Sequence, residues 1–147
     1  MFNLGIDSML RASDLVSLKV SDVSRSGIVQ SRGTILQQKT GTSVTFGITA
    51  RTRKTTAEWI SFAGLSGGDH LFTSRARSSL HITTRQYARL FKEWIESIGL
   101  DPSVYGTHSM RRTKATQIYQ KTKDYRAIQM LLGHSDIENT VRYLGVE

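Results

Sequence analysis

Between Val23 and Thr49 the chain changes its pattern, and that change restricts the folds open to it. Gly27, Gly33, Gly41 and Gly47 cut this stretch into short runs, Thr34-Ile35-Leu36 and Ser43-Val44-Thr45-Phe46 among them, whose β-branched residues suit strands. On either side the apolar residues return every three or four positions, the spacing of helices that bury one face. The pattern predicts an α+β fold, mainly α-helical, with a small antiparallel β-sheet and with Lys39-Thr40-Gly41 at or beside a hairpin turn.

The flanking segments can be read one by one. Leu10, Leu15 and Leu18 predict a short helix over 8–18, with Asp7 and Ser8 as candidate caps. Thr55 and Glu58 have the spacing of a capping box, and Trp59, Ile60, Phe62 and Ala63 then predict a packing helix that Gly64 ends. Thr83 and Gln86 repeat the box before Tyr87, Leu90, Phe91, Trp94, Ile95 and Ile98, the clearest amphipathic run in the chain. Its aromatic stripe is expected to serve the core and not to stack on bases. Gly99 and Pro102 mark a stop, and a new helix is predicted from near Thr107. Tyr125, Ile128, Leu131 and Leu132 share a face before Gly133, and Ser135 with Glu138 forms a third box opening the segment that carries Tyr143.

Composition narrows the chemistry. With 147 residues, 38% of them hydrophobic, the chain supports one domain with a true core and no linker long enough to divide it. The net charge of +8 favours a polyanionic partner, although charge alone does not separate nucleic acid from a solvated basic surface. The absence of Cys excludes disulfides, thiolate metal sites and a cysteine nucleophile, and is compatible with a cytoplasmic setting. No basic segment leads into an apolar stretch, and no run approaches the ~18 apolar residues of a membrane span, so neither export nor a membrane partner is expected. Asp69, Asp101 and Asp124 are scattered instead of clustered as in a two-metal nuclease, and His70 and His81 lack ligand spacing. No metal and no cofactor are expected.

His108 and Arg111, three apart on a helix capped by Thr107, can meet the same anion, but such a pair by itself marks only a charged face. Its surroundings say more. THSMRRTKAT, from Thr107 to Thr116, and LLGHSDIENTVRY, from Leu131 to Tyr143, resemble the two C-terminal boxes of the tyrosine recombinases, the phage integrase family. LRASDLVSLKVSDV, from Leu10 to Val23, resembles the first box, which assigns Arg11 and Asp14. QQKTG, from Gln37 to Gly41, resembles the hairpin that carries the catalytic lysine, which assigns Lys39. The four segments follow the family's order and cover nearly the whole chain.

The resemblance implies a catalytic domain over 1–147 that clasps one face of double-stranded DNA and acts as a site-specific recombinase or integrase. Strands would be cut and rejoined through a 3′-phosphotyrosine link to Tyr143. Arg11 and Arg111 would each donate paired hydrogen bonds to the scissile phosphate, a geometry that lysine cannot reproduce. His108 would assist removal of the Tyr143 proton, Lys39 would protonate the departing 5′ oxygen, and His134 would donate to a nonbridging oxygen. Asp14, whose charge repels phosphate, would orient an arginine. Lys54, in a second basic cluster with Arg51 and Arg53, competes for the part of Lys39.

Departures from the family also set expectations. Its N-terminal core-binding domain, about a hundred residues long, is absent from this sequence. The helix before the first box is missing or reduced to MFNLG, which would leave apolar surface exposed. Only Leu144 to Glu147 follow Tyr143, so assembly into the family's homo-oligomer on DNA, a tetramer, is left open. A noncatalytic DNA-binding or regulatory remnant of an integrase is the alternative, and a type IB topoisomerase fits the spacing of the last boxes less well.

Overall fold

In a computed structural model, the segment predicted as one helix over 8–18 is two. The structure describes residues 1–75, 80–134 and 137–144, with the backbone alone at 137, 139, 142 and 143. Helix α1 (Phe2–Ser8) ends where Met9 takes a left-handed conformation, φ 56°, and α2 (Ala12–Ser17) starts after Arg11, whose backbone is extended. Of the two alternatives, a missing helix or one reduced to MFNLG, the structure has a short helix, α1, that includes Phe2 to Gly5 and packs on β4, α4 and α6, defined below. Asp7 and Ser8 do not cap a helix over 8–18. The Asp7 carboxylate accepts from the Thr49 amide at 2.9 Å and the Thr49 hydroxyl at 2.8 Å, while the Ser8 hydroxyl accepts from the Leu10 amide at 3.3 Å.

After α3 (Val20–Val23) come β1 (Ser24–Arg25) and β2 (Ile28–Val29), then β3 (Arg32–Leu36) and β4 (Ser43–Gly47). Each pair is antiparallel, and the expected sheet is two separate hairpins. The first is tight because Ser26 and Gly27 both have positive φ, 53° and 80°, a turn that matches strand twist over two-residue strands. The second has the register Arg32↔Gly47 through Leu36↔Ser43, and Lys39-Thr40-Gly41 lies in the loop that joins its strands. Val44 and Phe46 alternate inward along β4.

Helix α4 (Ala50–Ala63) starts directly after Thr49, one and a half turns earlier than the Thr55–Glu58 box predicts. Thr55 lies inside the helix and donates to the Thr52 carbonyl. The face it buries carries Thr52 and Thr56, whereas Trp59 and Phe62 are 39% and 87% exposed. Helix α5 (Thr84–Ser97) opens on the predicted box, Thr83 and Gln86 bonding reciprocally, and buries Tyr87, Phe91 and Ile95 in the core. Ile98 stays outside, 66% exposed. Helix α6 (Thr107–Thr122) is preceded by Gly106, so Thr107 is its first residue and not its cap. Helix α7 (Tyr125–Leu132) is capped by Asp124 and stopped by Gly133, and α8 (Ile137–Leu144) carries Tyr143; the expected cap at Ser135 lies outside the described residues.

Two apolar clusters result. The larger joins α1 to α5 and the second hairpin around Leu15, Leu18, Phe46, Leu71 and Phe91. The smaller gathers Met9, Ala115, Ile128, Leu132 and Leu144 from the break after α1 and from α6 to α8. An apolar cleft of about 320 Å³, lined by Met1, Trp59, Phe72, Ile82, Leu90 and Trp94, opens beside α4 and α5. Among the described residues no helix is long and apolar enough to cross a membrane.

Gly133 is where α7 meets the second hairpin. Its φ is +70°, and a Cβ there would lie 2.5 Å from Gln37 Oε1 and 2.8 Å from Val44 Cγ2. Gly133→Ala is expected to cost about 2–5 kcal/mol in urea unfolding, combining ~1–2 for the left-handed backbone with about 1–3 for overpacking. Gly64→Ala, at φ +64° with nothing within 4 Å, is expected to cost only the backbone part. Equal losses at the two positions would contradict this account of the junction.

Candidate active site

The last carbonyls of a helix have no partner within it and must find one outside. At the end of α7 the Leu132 carbonyl finds two: Arg111 Nη2 donates at 2.9 Å and Gln37 Nε2 at 3.1 Å. Arg111, 4% exposed, also donates from Nε to the Met9 carbonyl at 2.7 Å. One guanidinium thus ties α6 to the end of α7 and to the break that leads into Arg11. Burying a charge is costly unless hydrogen bonds replace its water, and these carbonyls supply them.

The turn bearing Lys39 is held from both sides. Within it, the Gly41 amide donates to the Gln37 carbonyl and the Gln37 amide to the Thr42 carbonyl, both at 2.9 Å. From α2, Asp14 Oδ1 accepts from the Gln38 amide at 3.0 Å. From within the hairpin, Gln37 Oε1 accepts from the Thr40 hydroxyl at 2.8 Å. Lys39 itself is exposed. Asp14, fully buried, therefore bonds to the lysine turn where the sequence suggested an arginine. Its Oδ2 and Arg11 Nη1 are buried atoms without a hydrogen bond among the described residues.

His134 follows the Gly133 stop, and its Nδ1 lies 3.0 Å from the Thr140 hydroxyl of α8. Burial pushes the imidazole pKa down to about 4, assisted by the positive charges of Arg111, Arg11 and Lys39, in that order. Four residues expected in one site, from α6, the α1–α2 break, the second hairpin and the loop after α7, therefore share one electrostatic environment. His134 is neutral at pH 7. Where the Thr140 hydroxyl donates to Nδ1, the ring proton sits on Nε2.

His108 is exposed at the second position of α6, one turn before buried Arg111. The Tyr143 backbone lies in α8, one turn after Thr140, and its side chain is outside the described residues. Tyr87 is buried with its hydroxyl on Met110 Sδ, and burial raises its pKa. Tyr119 and Tyr125 bond to each other at 2.8 Å. Lys54 is exposed on α4, and Arg53 beside it donates to the Ile48 carbonyl. The His70 and His81 rings lie tilted to each other with centroids 4.8 Å apart, and no group of three potential ligands occurs among the described residues.

Sequence reasoning passed over Gln37 and Thr140 as members of the site. Gln37 had a signal: continuing the alternation Gly33, Ile35, Gln37 puts it on the inward face, where an amide needs partners. Thr140 had only its position one turn before Tyr143. The carbonyls of Met9 and Leu132 had none, because any residue carries one.

The whole chain, residues 1–147, matches the family model described as "Phage integrase family". It is 29% identical over 147 residues to the probable integrase/recombinase YoeC of Bacillus subtilis, covering 100% of this chain and 76% of that protein. It is 33% identical over 142 residues to the tyrosine recombinase XerC of Erythrobacter litoralis, covering 95% of this chain and 43% of that one. The fold is similar to XerH site-specific recombinase, solved bound to difH substrate in a pre-cleavage complex, with a TM-score of 0.78 at 23% identity over 97% of this chain and 41% of that one. The chain thus spans less than half of the second and third.

Because the lowered pKa of His134 favours its neutral form, the unfolded chain binds more protons between about pH 6.5 and 4. Stability linked to His134 is complete above that window and falls as pH drops through it. In urea unfolding, His134→Gln is expected to lose less stability than the unsubstituted chain between pH 7 and 4.5. Equal losses would show that His134 does not titrate as this environment requires.

Proposed function

The chain belongs to the phage integrase family, and from that membership we propose that it is a site-specific recombinase, cutting and rejoining DNA through a 3′-phosphotyrosine intermediate. The observation that carries this reading is that Arg111 and Gln37 of the Lys39 turn are fixed on one carbonyl, that of Leu132 two residues before His134, while Arg111 also binds the Met9 carbonyl two residues before Arg11. Fixed cationic donors around one imidazole suit a single phosphodiester, whose charge grows as phosphorus becomes five-coordinate. Arg11 has a buried donor, Nη1, without a hydrogen bond among the described residues, and the proposed part of His134 is to donate to a nonbridging oxygen.

In the proposed reaction the Tyr143 phenol oxygen forms a bond to phosphorus and the bond from phosphorus to the 5′ oxygen breaks. His108 assists removal of the phenol proton, which is tightly held at its ordinary pKa near ~10. Lys39 gives a proton to the departing 5′ oxygen. Attack by a 5′ hydroxyl on the phosphotyrosine reverses the sequence and rejoins a strand. Because phosphodiester energy is kept in the protein link, the exchange consumes no nucleotide. Asp14 acts behind these groups by fixing the Gln38 amide.

The proposed substrate is duplex DNA, in line with the complex of the XerH relative, and the proposed assembly is a homo-oligomer on that DNA. The exposed cations Arg51 and Lys54 suit backbone phosphates. Residues 1–147 correspond to the catalytic part of the longer relatives. A surface of this size makes few phosphate contacts, so duplex binding is expected to be weak and to fall roughly 10- to 100-fold between 50 and 200 mM salt. A gel-shift series in salt checks this, and binding unchanged by salt would contradict it.

The decisive experiment offers the chain a library of nicked duplexes of random sequence and collects the covalent adducts that survive detergent. Adduct is expected with the unsubstituted chain and none with Tyr143→Phe, which retains binding. If no sequence yields adduct, the catalytic reading fails and the chain is a DNA-binding remnant.

A further inference from the structure

Lys39 is exposed at the tip of its turn, so its own contacts do not fix its backbone; its neighbours must. Gln38 is held by Asp14 from α2. On the other side stands Gln37, 1% exposed, with both ends of its amide occupied. Its Oε1 receives the hydroxyl of Thr40, the residue after Lys39, and its Nε2 donates to the carbonyl of Leu132 that also binds Arg111.

An amide is a poor filler for an apolar junction: a methionine or leucine occupies similar volume without polar groups to satisfy. What an amide adds is direction, because its two bonds hold only in one orientation. The backbone of Gly133 leaves just enough room, since a Cβ there would strike Gln37 Oε1.

We propose that Gln37 is a positioning residue that sets Lys39 against the arginine pair, tying the lysine turn to the Leu132 carbonyl on which Arg111 is fixed. This rests on the reading of Lys39 as the acid for the departing 5′ oxygen. Without the amide the turn keeps its tether to Asp14 and loses its reference to Arg111, so the Lys39 proton is delivered less well. The phosphate contacts of the arginines do not depend on it.

The test uses Gln37→Met, which keeps bulk and removes the bonds, beside Lys39→Ala. The substrate is a nicked duplex recovered from the adduct library, made with oxygen or with sulfur as the bridging 5′ atom. Sulfur leaves as a thiolate and needs no proton. On the oxygen substrate Gln37→Met is expected to cleave about 10- to 100-fold more slowly, part of the range a general acid contributes. On the sulfur substrate both variants are expected to match the unsubstituted chain. Rescue of Lys39→Ala without rescue of Gln37→Met overturns the positioning role, and rescue of neither overturns the acid reading beneath it.

Amide hydrogen exchange on the free chain gives a readout that needs no DNA. In Gln37→Met the Gly41 amide is expected to exchange at least about tenfold faster, while the Gln38 amide, still held by Asp14, and the amides of the β3–β4 ladder stay as slow as before. An unchanged Gly41 amide would overturn the proposal, as would a uniform acceleration through the hairpin, which marks general loosening.

Discussion

One carbonyl oxygen, that of Leu132, is the point at which the parts of this molecule are set in register. It accepts a guanidinium from α6 and an amide from the second hairpin, and it is available because a helix always ends with carbonyls to spare. Hydrogen bonds that involve a charged partner are worth about 1.5–3 kcal/mol each, so Arg111 makes a firm tie here and at Met9. Arg111 thereby binds two members of the smaller apolar cluster, Met9 and Leu132, and Gln37 joins the same point to the second hairpin, whose Phe46 belongs to the larger one.

That cross-tie explains how a collection of positive charges is kept together. Burial, aided by the charges of Arg111, Arg11 and Lys39, keeps the His134 imidazole neutral. The Arg111 charge is met by carbonyls and Lys39 faces water, while Arg11 keeps one buried nitrogen without a hydrogen bond among the described residues. Such a site is organised before any anion arrives, which is the condition under which fixed donors stabilise developing charge most effectively.

Much of this was legible in the chain. The α5 box, the hairpin around Lys39 and the glycine stops at Gly64 and Gly133 all follow from local rules that surrounding structure did not override. The start of α4 was misplaced because Thr55–Glu58 has the right spacing while a more distant carboxylate, that of Asp7, meets the Thr49 amide instead. The break at Met9 was invisible because a left-handed methionine carries no mark in sequence. Of the site, side chains with charge or rings could be named from four motifs. The carbonyls that hold them could not, nor could the Gln38 amide that Asp14 accepts from, for the same reason: backbone groups have no letter.

Arg111 both ties α6 to the carbonyls of Met9 and Leu132 and, in the proposed reaction, meets phosphate. Natural selection therefore acts on it twice, once through folding and once through chemistry. A descendant that had ceased to cut DNA would still be pressed to keep this arginine, so its presence in a lineage attests a fold more than an activity. Lys39 and His108, exposed and supporting little around them, are the positions whose drift would record the loss of catalysis first.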